Sequence, residues 1–179
     1  MSTTGWPDTG PTRTGTAMAD VLAGLSVTIG VLAALQNVNR TGLGQKVDVA
    51  LVDSAVASLE IINQIYLATG RIPERIGNRY ESCYPYDSFP ARDGDLVIAC
   101  GNDKLFTLLT DLMGQPELQT DPRFDENPKR VEHHAALREI VEKWTRTFGR
   151  DELVSLLLER GTPAGPINTI ADTTQDPHI

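Results

Sequence analysis

Residues 15–41 read G-T-A-M-A-D-V-L-A-G-L-S-V-T-I-G-V-L-A-A-L-Q-N-V-N-R-T, and residues 42–55 continue G-L-G-Q-K-V-D-V-A-L-V-D-S-A. Asp20 opens an apolar run with no other charged residue before Arg40. From Val21 to Leu35 the run is apolar on every side. A helix of that pattern is buried all round or lies in a membrane. A spanning helix needs about 20 apolar residues. This run is shorter and holds Gly24, Ser26, Thr28 and Gly30, small enough to let neighbouring backbones approach. It predicts a core helix over residues 18–37, packed between other layers.

A lone carboxylate at the mouth of such a segment must be capped, paired or used. Asp is a favoured N-cap and suits the positive end of the helix dipole. The same geometry serves a carboxylate nucleophile. Both readings of Asp20 stay open on spacing alone.

Working outward, a second apolar helix is expected over residues 51–69, stopped by Gly70. Between the two helices lie a turn, residues 40–45, and a short β-type segment, residues 46–49. Asp48 reads as a structural ion-pair partner and Asp53 as the cap of the second helix. Pro73, Gly77, Asn78 and dense charge mark residues 71–83 as a linker. Residues 84–91 and 95–100 are β-rich and flank Arg92-Asp93-Gly94, a hairpin signal.

Asn102 is placed to cap a helix carrying Leu105, Leu108, Leu109 and Leu112, ended by Gly114. Residues 115–129 hold three prolines and read as loop. Leu137, Ile140, Val141, Trp144 and Phe148 fall at helical spacing, as do Leu153, Leu156 and Leu157. A short strand is expected at residues 165–169. The domain plan is therefore 1–70, a linker at 71–83, a small α+β domain at 84–170 and a closing segment at 171–179.

Composition excludes several functions. The 179 residues carry 16 Lys and Arg against 24 Asp and Glu, a formal charge of −8. No basic stretch has interleaved aromatics, so a nucleic-acid partner is not expected. Cys83 and Cys100 are the only cysteines, too few for a secreted disulfide framework. Residues 1–10 lack the apolar core of a signal peptide. A reducing cytoplasm is the expected compartment, with no membrane partner. Adjacent His133 and His134 point about 100° apart and share no face, so no metal site is expected and a solvated helix face is. No G-x-S-x-G elbow is present. Gly42-x-Gly44 is a turn, since no Lys-Ser/Thr helix start follows it.

The order G-x-x-x-A-D-x-x-A-G, an apolar helix ending A-A-L, then R-T-G-x-G-Q-x-V-D-V-x-L-x-D resembles the class III CoA-transferases. So do G-W-P-D-T-G-P-T-R-T-G at 5–15 and the long block from Gly77 to Phe106. D-P-R-F at 121–124, G-T-P-A-G-P-I at 161–167 and the closing D-P-H-I belong to the same pattern. The resemblance implies an α/β fold: a partial Rossmann-like large-domain segment with two buried helices, a linker and a small α+β domain. It implies that Asp20 is the catalytic nucleophile. The substrates implied are an acyl-CoA donor and a carboxylic acid acceptor, with coenzyme A as substrate and no separate cofactor.

The resemblance further implies an interlocked homodimer. It marks the chain as an incomplete middle-to-C-terminal piece, without the upstream half that makes most CoA contacts and expected to be inactive alone. Related α-methylacyl-CoA racemases carry a proton-transferring acid at about the position of Asp103. An isomerase of that type, or a non-catalytic dimerisation or binding module, are the alternatives. Tyr84, Tyr86, Asn102 and Asp103 are the candidate substrate-binding residues. For Tyr84, Tyr86 and Phe89 the competing reading is packing in the sheet. For Asn102 and Asp103 it is a helix cap.

Overall fold

The computed structural model describes residues 1–179 and divides them into two units, Met1–Gly77 and Asn78–Ile179. In the first unit, α1 (Met18–Thr41) runs further than expected. No glycine or proline interrupts residues 38–41, and the stop comes only at Gly42. There φ reaches 75° and the N–H donates to Val38 O at 2.7 Å. The hydroxyls of Ser26 and Thr28 turn back onto Leu22 O and Gly24 O. The surface of α1 is left almost wholly apolar.

That surface is not buried within this chain. Ala23 is the one buried residue of α1, while Ile29 is 68% exposed and Leu32 61%. Burial of the two helices, as expected from the sequence, would need partners from elsewhere. By length and composition α1 could cross a bilayer, which is equally true of a core helix in a larger protein. One feature of α1 is a protein-packing feature. A Cβ on Gly30 would lie 2.7 Å from Val47 Cγ1, so the Val47 side chain seats in that notch.

Residues 46–49 form no strand, and Lys46 bonds Asp48 at 2.8 Å on the surface. The expected single helix 51–69 is two, α2 (Leu51–Ala57) and α3 (Glu60–Thr69), bent by 76°. Ser58 Oγ donates to Ala55 O at 2.7 Å, an internal bond of the kind that competes with a continuing helix. Glu60 then takes φ 44°. Neither α2 nor α3 has a buried residue, so no core holds one straight axis.

The second unit builds a core. β1 (Tyr86–Pro90) and β2 (Asp95–Ala99) form an antiparallel hairpin with Tyr86 opposite Ala99 and Pro90 opposite Asp95. β3 (Ala164–Pro166) pairs antiparallel on the other side of β2, starting one residue earlier than expected and ending sooner. Against this sheet pack α4 (Asp103–Leu112), α6 (His134–Thr145) and α7 (Arg150–Glu159). Phe89, Leu96, Ile98, Leu109, Leu137, Val141, Leu153 and Leu157 are fully buried between them.

A short 3-10 turn, Pro116–Gln119, and α5 (Asn127–Glu132) occupy the stretch expected to be loop. Pro128 sits in the first turn of α5, where its missing N–H costs nothing. Phe148 kept helical spacing but lies beyond α6. It packs edge-on to Trp144 at 5.3 Å. α8 (Ile170–Gln175) ends the described elements, capped by Thr169.

The hairpin tip does more than turn. Gly149 precedes α7 and has no side chain to cap it. Asp93 Oδ1, from the tip, accepts the Arg150 N–H at 2.7 Å, and Glu152 Oε2 accepts the Gly149 N–H at 3.2 Å. The Arg92 N–H also donates to Phe148 O at 2.9 Å. The tip is thus fastened to the α6–α7 junction.

Candidate functional site

Asp20 is the third residue of α1, not its cap. The cap position is Ala17, and the first turn closes through Val21 N–H to Ala17 O at 3.1 Å. Asp53 repeats this geometry as the third residue of α2, behind Ala50. The cap expected at Asp53 is corrected, and the capping reading of Asp20 set aside, for one reason. The backbone starts each helix before its acid, leaving the acid inside the first turn. Asp20 makes no capping bond and its side chain is exposed. A carboxylate there sits beside the unpaired N–H groups and the positive dipole end of a helix of 24 residues. It is free to meet an electrophile.

The other four candidates lie in the second unit. Asn102 caps α4, its Oδ1 accepting the Leu105 N–H at 3.0 Å. Asp103 is mostly exposed and forms an ion pair with Arg130, which is 1% exposed. Tyr84 is wholly in the core, so its ring presents no open face. Tyr86 is half-buried and stacks on Tyr80 at 4.9 Å. The packing reading holds for Tyr84 and Phe89, and the cap reading for Asn102.

Arg130 ties these residues together, and the sequence did not single it out. Its Nε donates to Tyr84 O at 3.0 Å and its Nη1 to Phe124 O at 2.9 Å, while Nη2 meets Asp103. The guanidinium lies 4.4 Å from the Phe106 ring centroid. One buried cation thus links the start of β1, the 121–124 turn and the start of α4. Lys129-Arg130 in a polar segment reads as a surface pair, so no local signal reveals it. Arg138 plays a similar part at β1, bonding Asp87 and donating to Ser88 O at 2.9 Å. Burial holds the Asp87 carboxyl above its ordinary range, against the opposing pull of the Ser88 N–H and Arg138.

Neither cysteine is a nucleophile in this setting. Burial pushes the Cys100 thiol up to about 12 and raises Cys83 as well, the nearby Arg130 only partly offsetting it. The thiolate is the reactive form. His133 and His134 are half-buried, not on a solvated face. Their Nδ1 atoms lie 3.0 Å from Lys129 O and Val131 O, and the His134 ring sits edge-on to Tyr84. The exposed first-turn carboxylates of the first unit include Asp20, on the 24-residue α1, and Asp53, on the short α2.

The family model described as CoA-transferase family III matches residues 1–179. The chain is 40% identical over 177 residues to the succinyl-CoA–D-citramalate CoA-transferase of Chloroflexus aurantiacus, covering 98% of this chain and 44% of that protein. It is 39% identical to the acetyl-CoA:oxalate CoA-transferase of Acetobacter aceti, covering 99% and 46%. Against the succinate–glutarate CoA-transferase of Agrobacterium fabrum the identity is 37%, covering 100% and 45%. A crystal structure of a CaiB/BaiF family protein from Brucella suis superposes with TM-score 0.78 at 43% identity, over 99% of this chain and 47% of that one. The chain spans a little under half the length of the curated relatives it matches.

Proposed function

This chain belongs to CoA-transferase family III, and from that premise we propose that the whole protein moves CoA from an acyl-CoA donor to a carboxylic acid, with Asp20 as the covalent nucleophile. The placement of Asp20 carries the reading: an exposed, uncapped carboxylate in the first turn of α1. A carboxylate oxygen of Asp20 attacks the donor thioester carbonyl, and CoA leaves as thiolate. The product is a mixed anhydride. The thiolate attacks the aspartyl carbonyl, the donor leaves as a free carboxylate, and CoA is held as an aspartyl thioester. The acceptor carboxylate attacks that thioester and expels CoA thiolate. The thiolate then takes the acceptor's carbonyl and restores Asp20. Each step trades one activated acyl bond for another, which divides a hard exchange into easier ones.

The acceptor class is a dicarboxylic acid. The names of the three relatives carry citramalate, oxalate, succinate and glutarate, all of that class. The exposed apolar sides of α1, α2 and α3 support burial against the remainder of the protein and a second copy. The same reading sets the homodimer in a reducing cytoplasm and this chain alone as inactive.

The test uses the full-length protein and a panel of dicarboxylic acids with acyl-CoA donors. Hydroxylamine should trap an acyl intermediate as a hydroxamate at Asp20. Asp20→Asn keeps the size but loses the nucleophile, so it should fold normally and lose transfer by several orders of magnitude. Solvent deuterium entering the substrate Cα, with no hydroxamate, would replace this reading with the racemase-type one. Neither signal across the panel would favour a binding module.

A further inference from the structure

Residues 2–12 are fastened to residues 72–77 by contacts of three kinds. The Gly77 N–H donates to Gly5 O at 2.9 Å, and the Thr12 N–H donates to Thr4 O at 3.2 Å, closing residues 4–12 into a loop. Arg75 Nη1 reaches Ser2 O at 3.4 Å. The Trp6 ring lies flush on the backbone of Gly77. A Cβ on Gly77 would stand 2.4 Å from Trp6 Cζ3 and 2.5 Å from Cε3. Gly77 also holds φ 71°, a conformation other residues resist. Only glycine satisfies both demands. Elsewhere the two segments leave a cleft of about 340 Å³ lined by Ser2, Pro7 and residues 72–75, so Trp6 is the main side-chain contact closing them.

We propose that residues 2–12 are a strap, with Trp6 as its latch, that holds residues 72–77 in place as a conformational device. Two functional segments meet at this point. Beyond Thr12 the strap runs into α1 and Asp20, and beyond Gly77 the held segment runs into the second unit. Seating or releasing one indole therefore sets how freely the segment that leads into the second unit opens. Trp6 is 51% exposed, so the latch can open without disturbing a core.

Trypsin cleavage after Arg75 reports that opening, because cleavage follows the population of the open form when closing is fast. The full 179-residue chain is digested alongside three variants. Trp6→Ala should raise the cleavage rate after Arg75 at least tenfold. Trp6→Phe keeps a flat ring and should stay within threefold of the parent. Gly77→Ala drives the ring off and should match Trp6→Ala. Cleavage after Arg146, in the second unit, should be unchanged throughout. An unchanged rate in Trp6→Ala would overturn the proposal, as would a Trp6→Phe rate equal to that of Trp6→Ala. A parallel rise at Arg146 would also overturn it, by showing general loosening in place of a local latch.

Discussion

The two units differ in a way that reverses what their sequences suggest. Residues 1–77 contain the longest apolar run, yet bury only Ala23 and Pro73. Residues 78–179 are more mixed in composition, yet hold every other buried hydrophobic side chain. Burying one Val, Leu or Ile side chain gains about 1.5–3 kcal/mol. The second unit collects that gain within itself. The first leaves it uncollected along Val21, Leu25, Ile29, Leu32 and Leu35. An unbroken apolar run therefore need not be covered by its own segment. An alternating or amphipathic pattern reports burial within the segment. The candidate chemistry lies in the unit that cannot cover itself.

The contrast breaks most visibly at Arg130. Replacing it by Met fills the space but leaves Tyr84 O and Phe124 O without their buried donor. Asp103 is mostly exposed and returns to water, so the loss lies in the unsatisfied buried carbonyls, about 1–3 kcal/mol. Arg130→Met should lower the urea midpoint of the second unit accordingly, read by Trp144 fluorescence. A midpoint within error of the parent would mean that the three segments it links hold without it.

A smaller effect is expected at the start of α4. Asn102→Ala removes the bond to the Leu105 N–H and should cost about 1 kcal/mol. Thermal unfolding of that variant checks whether a local cap matters inside a unit otherwise held by packing.

The smallest lies at the surface. Arg123 side-chain and backbone bonds lower the Asp121 carboxyl to about 2 from its usual 3.8. A depressed folded value means stability that is complete above the usual value and lost as pH falls through about 2. The melting temperatures of the parent and Asp121→Asn should differ slightly at pH near 5 and converge near pH 2, within the small range of exposed pairs. A gap that widens on acidification would contradict the assignment.

What was legible in sequence follows the same division. α4 could be read because its cap, Asn102, and its stop, Gly114, are local. The β1–β2 hairpin could be read because β-rich runs flanking Asp-Gly are a local signal too. The bend between α2 and α3 could not. No proline or glycine marks residues 58–60, and the axis there answers to neighbours that residues 1–77 do not supply. Asp20 could be singled out, but not its place inside the first turn, since helix starts at alanine carry no polar signal. The links from Arg130 to Asp103, from Arg138 to Asp87 and from Asp93 to Arg150 were invisible because each spans more than 25 positions. Their partners exist only after the sheet has formed.

Hydrogen exchange on the intact 179-residue chain, followed by mass spectrometry over a dilution series, tests the difference between the units most directly. Amides of β1, β2, α4, α6 and α7 should show strong protection that does not depend on protein concentration. Amides of α1, α2 and α3 should exchange much faster when dilute and slow as concentration rises and their apolar faces find partners. Equal, concentration-independent protection of α1 and α6 would contradict the account, by showing that the first unit holds itself as the second does.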